Sequence, residues 1–138
     1  MRFILQKNSF GCGPVALINF LKFKGYGLTY QCGYKYYSWI MGTDQEGTHT
    51  KDFERVLKLF IDFKILKGKL PRRINNGILE YVADCGHYHY AFVFRDKGGW
   101  QVTNDSINKT TVSHKLYNNR EMRNLIRRKD TYLYVEDY

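Results

Sequence analysis

The stretch that decides the fold is QKNSFGCGPVAL, residues 6–17, in which a glutamine and a cysteine stand just ahead of the first predicted helix. Gly11 and Gly13 permit tight turning on either side of Cys12, and Pro14 suits a first helical turn, where its missing N–H is not needed. A cysteine at a helix N-terminus faces unpaired backbone N–H groups and the positive end of the helix dipole. Both favour the reactive thiolate, so the sequence predicts that Cys12 is a nucleophile.

The segments that follow carry further helical signals. Apolar residues from Gly13 onward recur at helical spacing and predict a first helix that ends near Lys24, where glycines follow a lysine-rich turn. Residues 28–41 are aromatic without clean periodicity and predict a loop with a short helix. Thr50 is a good N-cap, and the acidic first turn and apolar face behind it predict a second helix.

After the second helix the apolar pattern becomes alternating or continuous, which predicts strands. The predicted strands span residues 63–66, 77–83, 89–94, 100–104 and 132–135. The sequence DKGG at 96–99 predicts a hairpin turn, and 118–129 predicts a basic helix with its arginines outside. Helices followed by an antiparallel sheet indicate one α+β domain over residues 1–138, with the helical part packed against the sheet.

Composition excludes several classes of protein. A hydrophobic content of 43% argues against disorder, and no apolar run approaches the ~20 residues of a membrane span. The three cysteines have no spacing typical of a disulfide framework, so we expect reduced thiols. No targeting segment is visible, which predicts a cytoplasmic protein, or one in the host cytoplasm if the Tyr-, Lys- and Asn-rich composition reflects a phage or viral source.

A cysteine nucleophile needs a base and usually a group that orients the base, and one predicted hairpin offers both. His87 and His89 lie on one face at the start of a strand, because side chains alternate with period two. The return strand ends in Asn104 and Asp105. Either side chain can accept a hydrogen bond from the far ring nitrogen and fix the histidine tautomer.

A further candidate lies ahead of the cysteine. Gln6 can donate its side-chain N–H to a developing oxyanion, beside the backbone N–H of Cys12. Together these residues resemble the papain-like cysteine peptidases, in particular the bacteriocin-processing double-glycine peptidases and their stand-alone relatives. Gln6 with CGPVA from Cys12, Gly47 and Thr48 before the second helix, and His89 opening a strand match the order and spacing of that family.

The resemblance implies a papain-like fold and a cysteine peptidase with a Cys–His–Asp/Asn triad and Gln6 as oxyanion donor. It also implies a peptide or protein substrate with small residues before the scissile bond. Two positions stay open. His89 is favoured over His87 because the apolar run AFVF begins just behind it. Strand alternation puts Asn104 on the core face, whereas the residue type and sixteen-residue offset of the family favour Asp105, and the sequence leans slightly to Asn104.

No cofactor or metal is expected. Cys85, His87 and His89 alternate along one predicted strand at ~6.6 Å per step, which is too far for neighbours to share one tetrahedral zinc. Cys32 and Cys85 are assigned to packing. The alternative to a hydrolase is a catalytically idle binding module of the same fold. It would contact nucleic acid or an anionic protein through the basic C-terminal helix, in keeping with the net charge of +9.

Overall fold

The computed structural model describes residues 2–83, 86–106 and 111–137. Within these ranges the helices are α1 (Cys12–Phe23), α2 (Tyr30–Ile40), α3 (Thr50–Leu57) and α4 (Asn119–Ile126). The strands are β1 (Phe63–Leu66), β2 (Asn76–Val82), β3 (Tyr88–Asp96), β4 (Gly99–Asp105), β5 (Ser113–Asn118) and β6 (Tyr132–Glu136). Cys85 lies outside the described residues, so its packing stays a prediction.

The first helix is the central element of the helical layer. Every residue of α1 from Cys12 to Leu21 is buried, because the sheet covers one side and α2 another. The helix ends at Phe23, as the glycines after Lys24 predict. In the described part of the chain, no helix is both long and apolar enough to cross a membrane.

The prediction of a loop with a short helix at 28–41 is wrong, because α2 is a full helix. The hydroxyl of Thr29 caps it by accepting from the backbone N–H of Cys32 at 3.2 Å. Gly33 lets α2 approach α1 closely, since a Cβ there would lie 3.1 Å from Cδ1 of Ile18. The aromatic residues hide the helical period because Tyr36 and Trp39 are exposed, whereas Tyr34 is buried. Cys32 is also exposed, which contradicts its assignment to packing.

The six strands form one antiparallel sheet in the order β1-β6-β2-β3-β4-β5. Lys97 and Gly98 join β3 to β4 with φ values of 48° and 78°, and positive φ at both positions is what a type I′ hairpin turn requires. The sequence missed β5, an edge strand in which Tyr117 is the buried residue. A capping box between Asn118 and Glu121 then begins α4, which lies within the basic helix predicted over 118–129 and ends at Ile126.

The sheet separates two apolar clusters. Tyr90 and Phe92 of β3 pack with α1 and α3 on one face, whereas Ala91 and Val93 pack with α4 on the other. This arrangement follows from the period-two alternation of β3. The helices α1 to α3 and the basic helix α4 therefore lie on opposite faces of the sheet.

Candidate active site

The N-terminus of α1 and the start of β3 meet at one cleft of about 1260 Å³. Gln6, Cys12 and His89 all line this cleft, and so does His87. Residues 45–50, which lead into α3, form another part of its wall. The fold thus brings the predicted nucleophile, the predicted oxyanion donor and both candidate histidines to one place.

The thiol of Cys12 belongs to the buried core, with 7% of the residue exposed. Burial raises the pKa of this thiol to about 11, against the lowering effect of the backbone N–H groups of Tyr90, Gly13 and Cys12 itself. The structure differs here from the thiolate that the helix N-terminus predicts, because the loss of hydration outweighs the N–H groups. The resting form of Cys12 is therefore a neutral thiol. Its sulfur lies close to the backbone N–H of Tyr90, the residue that follows His89.

The two histidines of the hairpin differ in their surroundings. His87 is exposed, whereas His89 is 5% exposed and its Nε2 lies 2.6 Å from the backbone oxygen of Asn104. A carbonyl oxygen can only accept, so Nε2 carries the hydrogen and Nδ1 of the neutral ring is an acceptor. Burial lowers the pKa of His89, and the Asn104 carbonyl and the charge of Asp105 partly oppose this. His89 is therefore a neutral, oriented imidazole.

The side chain of Asn104 makes contacts other than the predicted one to His89. Its Oδ1 accepts from the backbone N–H of Gln6 at 2.9 Å, and its Nδ2 donates to Oε1 of Gln6 at 2.8 Å. His89 is instead contacted by the main-chain carbonyl of Asn104. The asparagine therefore orients the imidazole through its backbone and the glutamine through its side chain.

A β-bulge explains why alternation along β4 failed as a guide. The register of β4 against β5 shifts between Val102 and Asp105, and Asn104 has a φ of 54°. Beyond such a bulge, each side chain points to the face opposite the one that simple alternation predicts. Asp105 consequently shares the face of Tyr81 and Tyr117, and Asn104 turns toward Gln6.

Asp105 is buried and is held by two phenols. Tyr81 donates to its Oδ1 at 2.5 Å, and Tyr117 donates to its Oδ2 at 2.7 Å. The ring of Tyr81 lies 5.4 Å from that of His89, so the carboxylate is near the imidazole. The negative charge of Asp105 acts to raise the pKa of His89, against the larger lowering effect of burial.

Gln6 is fixed from two sides. Besides its contacts with Asn104, its Nε2 donates to the backbone oxygen of Asn8 at 2.9 Å. Asn8 is itself anchored, since its Nδ2 donates to the hydroxyl of Tyr34 at 3.0 Å. An amide nitrogen has two hydrogens, and the residues that the structure describes, 2–83, 86–106 and 111–137, supply a partner for one of those on Gln6 Nε2. The other hydrogen can be donated to a group bound in the cleft.

The fold that carries this cleft is known from a solved structure. No family profile matches the sequence, and no curated protein sequence matches it. The chain is similar to the peptidase domain of Streptococcus ComA, a bifunctional ABC transporter involved in a quorum-sensing pathway, with a TM-score of 0.65 over 97% of both chains. The protein has a papain-like α+β fold. The two sequences are 14% identical, so the likeness confirms the predicted fold and extends no further.

One residue that supports the candidate site from the edge strand was missed by the sequence reasoning. His114 of β5 accepts from the backbone N–H of Asn104 at Nδ1, at 3.0 Å, and its Nε2 donates to the backbone oxygen of Phe3 at 3.3 Å. The sequence analysis did not predict β5, the strand that carries His114, so it could not place this residue next to Asn104. The tyrosines that hold Asp105 were missed for a related reason, since Tyr117 also lies on β5.

A metal site has no support among the residues that the structure describes, since no group of His, Cys, Asp and Glu there has the arrangement to hold an ion. Asp84 and Cys85 lie outside those residues. The alternative of a Cys-His-His metal cluster therefore stays untested.

Proposed function

We propose that this protein is a thiol hydrolase, specifically a cysteine peptidase that cleaves a peptide amide through a Cys12 acyl enzyme. One observation carries the proposal: Nε2 of His89 donates to the Asn104 carbonyl, which leaves Nδ1 as an acceptor in the cleft that also holds Cys12. A neutral imidazole that shares a cleft with a thiol supplies the two groups that nucleophilic catalysis by cysteine requires.

In the acylation step, Nδ1 of His89 takes the proton of the Cys12 thiol while the sulfur attacks the substrate carbonyl carbon. The oxyanion accepts hydrogen bonds from Nε2 of Gln6 and from the backbone N–H of Cys12, which has no intrahelical partner in the first turn of α1. The C–N bond then breaks, and His89 gives its proton to the departing amine. The product of this step is a thioester on Cys12.

Deacylation repeats the chemistry with water as the nucleophile. His89 takes a proton from water, and the hydroxide oxygen attacks the thioester carbonyl in the same oxyanion hole. The S–C bond breaks, and the proton held by His89 returns to the sulfur. The acyl product leaves as a carboxylic acid. An acceptor other than water would make the same residues an acyltransferase.

The resting protonation states define the role of His89 further. Because burial raises the pKa of Cys12 to about 11 and lowers that of His89, the pair rests as thiol and neutral imidazole. Proton transfer therefore accompanies attack, and His89 acts as a general base instead of a preformed imidazolium. The similar ComA domain is named a peptidase domain, which is consistent with a peptide or protein substrate here.

The test uses acetyl-Gly-Gly p-nitrophenyl ester, whose small residues match the expected substrate class. We expect a burst of p-nitrophenolate and an acetyl-Gly-Gly adduct on Cys12 by mass spectrometry. Cys12→Ala and His89→Ala are expected to abolish both, whereas Cys32→Ser, a matched change at an exposed thiol, leaves them intact. No adduct, or an adduct that persists in His89→Ala, would overturn the proposal. Release of an amine from acetyl-Gly-Gly aminocoumarin amide then distinguishes a peptidase from an esterase.

The binding-module alternative is favoured by a separate observation, the segregation of charge. Residues 67–74 and 119–130 pack on the face of the sheet opposite α1 and carry nine basic and two acidic residues. Their excess of seven positive charges accounts for most of the net +9 of the chain. All nine basic residues are exposed, and more than half are arginines, which suit bidentate contacts with phosphate.

Binding of a fluorescent DNA duplex at two salt concentrations tests this alternative. The variant R127E/R128E should weaken binding and reduce its salt dependence, because fewer counterions are released. The matched variant K35E/K58E makes the same charge change at exposed positions on α2 and after α3, and it should have a smaller effect. Equal losses in the two variants would indicate only a general effect of net charge and would refute a dedicated surface.

A further inference from the structure

We propose that Asn104 is a positioning residue that aligns the general base and the oxyanion donor together, with its own conformation held by His114. This inference rests on the proposed function, since it assigns roles for the same reaction. It differs from a triad in which a side chain orients the histidine. One residue instead connects His89 to Gln6, the two groups that act on either side of the nucleophile.

The contacts of Asn104 leave none of its polar groups without a partner. Its carbonyl accepts from His89, and its N–H donates to His114. Its side chain makes both remaining contacts with Gln6. Asn104 is fully buried, so these bonds have little competition from water. A shift of Asn104 would therefore move the base and the oxyanion donor at the same time.

The backbone of Asn104 provides the geometry for this double contact. Its φ of 54° lies in the left-handed region, which asparagine tolerates better than most residues. At a β-bulge this conformation breaks the regular pairing of β4 with β5. The Asn104 carbonyl then meets His89, and its side chain turns to the opposite side to meet Gln6.

His114 is the group that holds this conformation from the edge strand. Its Nδ1 accepts from the Asn104 N–H, and its Nε2 donates to the carbonyl of Phe3, three residues before Gln6. The same imidazole thus fixes Asn104 and the segment that carries Gln6. His114 contacts neither Cys12 nor the proposed substrate position through these bonds, so it acts through Asn104.

The decisive variant is Asn104→Gly, because glycine keeps the left-handed backbone and the carbonyl that contacts His89 and removes only the side chain. We expect the acylation rate with acetyl-Gly-Gly p-nitrophenyl ester to fall by about the same factor as in Gln6→Ala, on the order of 10²-fold. The double variant should be no slower than either single variant, because both changes remove one function. Independent, multiplying losses would overturn the proposed connection.

Two further comparisons separate positioning from a general structural effect. Lys97→Gly is a matched control, since Lys97 also has positive φ, 48°, and lies in the exposed turn at the end of the β3–β4 hairpin away from His89 and Asn104. It should leave acylation unchanged. Asn104→Ala also removes the side chain but disfavours the left-handed backbone, so we expect a larger loss than in Asn104→Gly and a shifted acid limb of the pH–rate profile, because the carbonyl at His89 moves. If the acid limb stayed in place in Asn104→Ala as well as in Asn104→Gly, the contact between the Asn104 carbonyl and His89 would be refuted.

The role of His114 is tested by His114→Ala and His114→Asn. The alanine variant should slow acylation by roughly tenfold or more, because loosened groups lose their alignment. The asparagine variant should recover most of that rate, because its Oδ1 can replace Nδ1 as the acceptor for the Asn104 N–H. Equal rates in wild type and His114→Ala would remove His114 from the proposal.

The outcomes also separate this inference from the proposed function. If Cys12→Ala retains acylation, the hydrolase itself is refuted. If Cys12 and His89 are required but Asn104→Gly acylates as fast as wild type, the hydrolase stands and the positioning role of Asn104 is refuted. Thermal melting of each variant identifies any that fail to fold, and Asn104→Gly is the variant expected to fold because its backbone suits glycine.

Discussion

The hydroxyl of Tyr81 donates a 2.5 Å hydrogen bond to the carboxylate of Asp105. Tyr117 donates to the other carboxylate oxygen, so phenols occupy positions that an imidazole would occupy in a side-chain triad. The carboxylate nevertheless lies close enough for its charge to oppose the effect of burial on the pKa of His89. Asp105 thus acts on the pKa of His89 through its charge. Changes to Asp105 and to the tyrosines around it should therefore shift the pH dependence of acylation.

Asp105→Asn removes that charge. Burial already lowers the pKa of His89 below 6.5, and loss of the opposing charge should lower it further. Since the base must be neutral, the acid limb of the acylation rate should move to lower pH. The measurement is the burst rate between pH 4.5 and 7.5. A limb that moves to higher pH would contradict the assigned sign.

Tyr81→Phe should have the opposite effect. It removes one hydrogen bond from Asp105, which leaves the carboxylate charge less neutralised near His89 and raises the pKa of the imidazole. The acid limb should therefore move to higher pH. The variant also loses the bond from the Ser106 N–H to the Tyr81 hydroxyl, so a loss of about 1–3 kcal/mol in the free energy of unfolding is expected. Tyr36→Phe, at an exposed ring, is the control and should change neither quantity.

Alkylation rates test the resting state of Cys12. With a pKa of about 11, only about one Cys12 thiol in 10³ is ionised at pH 8, and this thiol is buried. The thiol of Cys32 is exposed, so a reagent in solution can contact it directly. Iodoacetamide should therefore label Cys32 faster than Cys12 at pH 8, as measured by peptide mapping, although we expect the Gly-Gly ester to acylate Cys12. Faster alkylation of Cys12 would indicate a preformed thiolate and contradict the neutral pair.

Gly13→Ala tests the packing behind the nucleophile. A Cβ at Gly13 would lie 2.5 Å from Oγ1 of Thr48, a hydroxyl that lies 2.7 Å from that of Thr43. Such overpacking costs about 1–3 kcal/mol of unfolding free energy, which urea denaturation can measure. Removing the hydroxyl in the double variant with Thr48→Ala should recover part of that loss. Full stability in Gly13→Ala alone would show that Thr48 moves aside freely.

The parts of the fold that local sequence decides were predictable. The glycines after Lys24 and the DKGG turn each act over a few residues, and α1 and the hairpin follow them. The helix predicted behind Thr50 also forms, but the predicted N-cap is wrong: His49 is the N-cap residue of α3, and the Thr50 hydroxyl donates to Glu80 instead of capping the helix. The predicted helix start near Cys12 is confirmed, since α1 begins at this residue. The strand predicted to open at His89 is also confirmed, since β3 begins one residue earlier, at Tyr88.

The parts that depend on long-range pairing were not predictable from pattern alone. The edge strand β5 has one buried side chain, that of Tyr117, so its sequence shows no apolar alternation. The bulge at Asn104 depends on pairing with this strand, and without it the faces of Asn104 and Asp105 are exchanged. The ionisation of Cys12 also differed, because burial depends on the whole core and not on the helix terminus.

The buried thiol of Cys12 has one more consequence, which concerns damage and not turnover. Oxidation of cysteine to sulfenic acid begins from the thiolate, so a thiol with a pKa of about 11 offers little of the vulnerable species near neutral pH. In the proposed mechanism the proton passes to His89 only as the sulfur attacks a bound carbonyl, whose oxyanion accepts hydrogen bonds from Gln6 and the Cys12 N–H. Under this mechanism Cys12 resists oxidation by peroxide while the site is empty, and it becomes reactive only when a carbonyl is there to receive it.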